Sequence, residues 1–85
     1  MTSYIQEAIF RMDITISEHA RKRMTERGVS EDEIRSAFND GNWERFAISE
    51  TDDFVALLDK TINGKTWRFV LNMETETLIT CYPRR

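Results

Sequence analysis

The chain has 85 residues, 40% hydrophobic and 32% charged, with a formal net charge of −3. That length suits one domain over residues 1–85, burying about 60 to 65% of the unfolded chain's surface, and it excludes a second independent domain. The composition excludes a disordered tail, and no stretch is long and apolar enough to span a bilayer.

Thr2 to Met12 reads as a short helix, with Ser3 and Gln6 as a capping pair and Ile5, Ala8, Ile9 and Met12 on one face. No basic region followed by an apolar run precedes it, so a cytoplasmic location is expected. Asp13 to Ile16 reads as a brief strand. Ser17 is placed to cap a first helix that Gly28 ends in a left-handed conformation. Ser30 and Glu33 form an S-x-x-E capping box for a second helix, with Val29 and Ile34 as its hydrophobic staple.

Asn39-Asp40-Gly41-Asn42 closes that helix, and the remainder reads as β. Trp43 to Glu50 and Phe54 to Ile62 are expected to be antiparallel neighbours. Asn63-Gly64 is the sharpest turn signal and predicts a two-residue hairpin with both turn residues at positive φ. Glu74-Thr75-Glu76 gives the next reversal. Strict alternation sends Trp67, Phe69 and Leu71 to one face and Arg68, Val70 and Asn72 to the other. In the last strand it groups Thr77, Ile79 and Cys81 against Leu78, Thr80 and Tyr82. Trp43 and Trp67 read as core. Cys81 reads as a buried small hydrophobe, and with a single cysteine and a single histidine the chain offers no zinc set.

The first helix carries the only histidine and, from Glu18 to Arg27, four basic residues against two acidic ones. On a helical wheel His19, Arg23, Arg27, Ala20 and Met24 follow one another across about 140°, so the histidine and two arginines border the apolar seam. Such side chains pack their stems and hold their heads at the mouth of a cleft. The acidic balance opposes a broadly nucleic-acid-binding surface. Acidic residues cluster at Glu31–Glu33, Glu50–Asp53 and Glu74–Glu76, however, which leaves room for a local basic cleft.

His19-Ala20, Arg23-Met24 and Glu26-Arg27-Gly28-Val29-Ser30 fit the pattern H-A-x-x-R-M-x-x-R-G-V-S. With the strand-rich tail, this resembles small bacterial and phage proteins known only as a domain of unknown function, a family that looks like a relative of BrnT and of RelE-type toxins. The resemblance covers roughly Ile14 to Tyr82. It implies an α+β fold, with helices packed on a twisted antiparallel sheet of about four strands. It also implies RNA cleavage by attack of a 2′-hydroxyl on the adjacent phosphate, without metal or other cofactor, and a small antitoxin as protein partner.

That chemistry needs a proton acceptor, a proton donor and cations around the phosphorane. His19 is the chain's only imidazole, a group able to accept or donate a proton, Arg68 and Tyr82 can serve the phosphate and the leaving group, and Arg23 and Arg27 offer forked donors to RNA phosphates. His19, Arg68 and Tyr82 are therefore the catalytic candidates, with Arg23 and Arg27 as phosphate ligands. Each also has a structural use: a local hydrogen bond for His19, an acidic cross-strand partner for Arg68, core packing for Tyr82. Two functions follow, a toxin-type ribonuclease or a non-catalytic protein-interaction module that binds a partner or a second copy through an edge strand.

Overall fold

The computed structural model describes residues 13–84, so the expected Thr2–Met12 helix lies outside the described residues. The chain runs through β1 (Thr15–Ile16), α1 (Glu18–Arg27), α2 (Glu31–Asp40), β2 (Arg45–Ile48), β3 (Val55–Ile62), β4 (Lys65–Asn72) and β5 (Thr77–Pro83). The strands form one five-stranded sheet in the order β1-β5-β4-β3-β2. The fold is thus α+β, but the sheet is mixed and five-stranded, where an antiparallel sheet of about four strands was expected. The added strand is β1, which pairs in parallel with the start of β5.

The helix boundaries follow the local chemistry. Ser17 adopts an extended conformation, accepts the Ala20 N–H at its Oγ, and donates from that hydroxyl to the Ile79 carbonyl at 2.8 Å. One serine thus starts α1 and ties it to β5. At the other end Gly28 takes φ 75°, and the N–H groups of Gly28 and Val29 return to the Thr25 and Met24 carbonyls in a Schellman arrangement. The capping box of α2 forms as the sequence predicts, with Glu33 N–H to Ser30 Oγ at 3.1 Å and Ser30 N–H to Glu33 Oε1 at 3.0 Å. Val29 and Ile34 are both buried.

Asn63 and Gly64 occupy φ 53° and 80°, as the expected hairpin turn requires. The turn is symmetric about the Asn63–Gly64 bond and so fixes the β3–β4 register: Thr61 faces Thr66, Asp59 faces Arg68, and Leu57 faces Val70. The inward face carries Ala56, Leu58, Trp67, Phe69 and Leu71, which both helices cover through Ala20, Met24, Ile34 and Phe38. Phe38, Trp43 and Phe69 meet edge to face, with centroids 4.9 to 5.9 Å apart. Both tryptophans pack in or against the core, as the alternation predicts.

The last strand departs from strict alternation. Leu71 pairs with Leu78 while Val70 pairs with Thr80, so Ile79 is an extra residue in a β-bulge. The bulge shifts the phase of the strand, and Leu78 and Cys81, expected on opposite faces, are both fully buried. Ile79 is turned outward, and its carbonyl receives the Ser17 hydroxyl. Burial pushes the Cys81 thiol up to about 11.

Among the described residues no helix is long and apolar enough to cross a membrane.

Candidate functional site

With both helices on the inward face, the residues between the core positions of β3, β4 and β5 point to the other side of the sheet. There the strand register sets Arg45, Asp59, Arg68 and Tyr82 in one row across β2, β3, β4 and β5. Asp59 is the anchor: it is only 3% exposed. A carboxylate so deep needs full compensation, and two arginines supply it. Arg68 donates from Nε and Nη2 to the two carboxylate oxygens at 2.9 and 3.1 Å, and Arg84 Nη1 donates to Oδ2.

The Arg68 hydrogen bonds hold the Asp59 carboxyl below the usual carboxylate range, with Arg84 adding to them and burial opposing. In return, Asp59 and then the Tyr82 hydroxyl favour the charged form of Arg68. Two guanidinium groups share one carboxylate, so the cluster keeps one unit of positive charge. Arg84 is partly exposed and Tyr82 is 42% exposed, so both reach the surface beside Arg68.

Arg68 and Tyr82 are thus brought together, directly opposite each other on β4 and β5. The other three candidates stand elsewhere. His19 is exposed on the first turn of α1, and Arg23 pairs with Glu26 at 3.4 Å on the same helix. Arg27, at the end of α1, lines a depression of about 150 Å³ with Gly28, Val29, Ile62, Asn63, Lys65 and Trp67. All three belong to the helical layer, across the sheet from Arg68. The helical layer also bounds a wider, mainly acidic depression of about 460 Å³ lined by Asp32, Glu33, Asp40 and Lys60 among others, where Lys60 is held by Asp40.

Asp59 and Arg84 are the members of the cluster that residue chemistry alone passes over. The signal for Asp59 is arithmetic. A two-residue turn at Asn63-Gly64 pairs residues whose numbers sum to that of the turn pair, which sets Asp59 against Arg68.

Charge is also sorted along the strands. Glu50, Asp52 and Asp53 lie between β2 and β3, and Glu74 and Glu76 lie between β4 and β5, all at one end of the sheet. The opposite end, around the Asn63–Gly64 turn, carries Arg27, Lys65, Arg68 and Arg84. Carboxylates stand at that end as well: Glu44 accepts from Thr61, Glu33 from Asn63, and Asp59 from Arg68 and Arg84. Among the described residues no three His, Cys, Asp or Glu side chains gather as a metal site would require.

A family description matches residues 16–83: DUF4258, a domain of unknown function. The chain belongs to this family. The match runs from the end of β1 to the last residue of β5, so the DUF4258 region holds both helices, the capping motifs and all of the Asp59 row. No curated protein and no solved structure matches the chain.

Proposed function

We propose that this DUF4258 chain is a toxin-type, metal-independent ribonuclease of the RelE and BrnT kind, with RNA bound on the outward face of the sheet. The observation that carries the reading is the set of Arg68, Arg84 and Tyr82 around the buried Asp59. Phosphate-ester cleavage gains most from cations fixed where charge develops, and Asp59 holds two arginines in place before substrate arrives.

In this reading the 2′-oxygen attacks the adjacent phosphorus and its proton leaves to water. The bond from phosphorus to the 5′-oxygen breaks, and that oxygen takes a proton from the Tyr82 hydroxyl, which solvent restores. The products are a 2′,3′-cyclic phosphate and a 5′-hydroxyl. Arg84 and the unengaged edge of the Arg68 guanidinium neutralise the phosphorane. Arg23 and Arg27 serve as outlying phosphate ligands, and His19 has no part in the centre.

A second reading, the non-catalytic interaction module, draws support from the β2 edge. That strand is four residues long and lies at the sheet edge; its last residue, Ile48, and Phe54 beyond it are 36% and 52% exposed. A partner strand or a second copy can add there, and an antitoxin can use the same edge.

Induced expression followed by growth and total RNA integrity separates the two. The ribonuclease reading predicts growth arrest with RNA cleavage for the wild type and neither for Tyr82→Phe or Arg84→Ala, both soluble. Normal growth and intact RNA in all three favour the interaction module.

A further inference from the structure

We propose that Arg27 and Lys65 form a separate phosphate-binding subsite in the depression at the hairpin end of the sheet. The inference rests on the RNA reading only for the identity of the polyanion. The depression has an apolar floor of buried Val29 and Trp67 with half-buried Ile62, and its rim carries Arg27 and Lys65, both exposed. Its volume of about 150 Å³ admits a phosphate group.

Among the described residues, Arg21, Arg23, Arg35, Lys60, Arg68 and Arg84 each have a carboxylate partner, whereas Lys22, Arg27, Arg45 and Lys65 have none, and of these four Arg27 and Lys65 line one depression. Glu33 stands beside Asn63 and stays charged, accepting from the Ser30 N–H and, at 2.6 Å, from the Asn63 side-chain amide. Two cations without an ion-pair partner thus border one concave place, and such a place attracts an anion.

The subsite also adjoins the arginine cluster. Lys65 and Arg68 lie on the same strand three residues apart, about 10 Å along it. Alternation turns Lys65 to the helical side, with Trp67, and Arg68 to the outward side. Arg84 closes the gap, since its N–H donates to the Thr66 carbonyl at 2.7 Å. A single strand bound at Arg68 and Arg84 can thus pass around the end of the sheet and place a further phosphate between Arg27 and Lys65.

Two measurements on the full chain test this. The first is an NMR titration with inorganic phosphate, for wild type and an Arg27→Ala/Lys65→Ala variant. The second is the salt dependence of binding to a fluorescent oligouridylate. The subsite predicts phosphate-dependent shifts at the Gly28, Val29 and Asn63 amides that the variant loses. It also predicts a slope of log affinity against log salt that is shallower in the variant by about 0.7, the amount for one phosphate contact on a single strand.

Shifts without a change in slope support the subsite with free phosphate as its ligand. A wild type that binds no RNA but shows the shifts overturns the RNA reading and leaves the subsite standing. Absence of the shifts, with an equal slope in variant and wild type, overturns the subsite. Both side chains are exposed, so the variant keeps its fold, which its amide spectrum verifies.

Discussion

Asp59 and Arg68 stand opposite each other on β3 and β4, and the Arg68 guanidinium grips both carboxylate oxygens of a residue that is almost fully buried. A charge placed there is tolerated only because its partners are fixed by the strand register. Removing the carboxylate leaves Arg68 and Arg84 side by side with no counter-charge between them. Asp59→Ala is therefore expected to cost about 3 kcal/mol, the scale of breaking a buried pair. Urea denaturation measures it. Asp59→Leu combined with Arg68→Leu should cost less than the sum of the single changes, because only the partly exposed Arg84 is then left without its partner.

The same pair sets a pH dependence. The native Asp59 carboxyl sits below its unfolded value, chiefly through Arg68. A depressed carboxylate contributes stability that is fully present above the unfolded value, near about 3.9, and is lost as pH falls through the native one. Glu31, paired with Arg35 and Arg21, shifts in the same direction. Stability should fall below about pH 4, and Asp59→Asn should lower the stability at neutral pH and so flatten that fall. Unfolding free energies measured from pH 7 to pH 2 show the difference.

The bulge in β5 predicts a contrast between neighbours. Leu78 is fully buried and Ile79 is 37% exposed. Leu78→Ala should cost about 2 to 5 kcal/mol, whereas Ile79→Ala should cost under about 1 kcal/mol. Equal costs would argue against the shifted pairing. The comparison needs only two variants and one denaturant series.

Gly28 gives a purely conformational test. It holds φ 75°, and a Cβ built there meets nothing within 4 Å. Gly28→Ala should therefore cost about 1 kcal/mol, from backbone strain alone. Thermal unfolding at fixed concentration is sufficient to see it.

How far the sequence reaches can be read from particular residues. Ser17, Gly28, Ser30 and Glu33 act through hydrogen bonds spanning three or four positions, so both helices were legible. Asn63-Gly64 likewise announced its hairpin. The parallel pairing of β1 depends on β5, more than sixty residues away, and local pattern carries no trace of it. The Ile79 bulge was hidden because every residue around it suits a strand, and only the tie between Ser17 and the Ile79 carbonyl marks the place.

At the site, Arg68 and Tyr82 were legible by type, and Asp59 was legible only through the register. Grouping His19, Arg23 and Arg27 with them was natural on the wheel, but α1 and the Arg68 row occupy opposite sides of one sheet. Which side a helix covers is a tertiary choice.

The most direct measurement of the central claim is the digestion of a defined single-stranded RNA by the purified chain in the presence of a chelator, with analysis of the product ends. The account predicts 2′,3′-cyclic phosphate and 5′-hydroxyl ends from the wild type and from His19→Ala, and none from Tyr82→Phe or Arg84→Ala. Intact RNA with the folded wild type, or activity that survives both Tyr82→Phe and Arg84→Ala but is lost in His19→Ala, would contradict it.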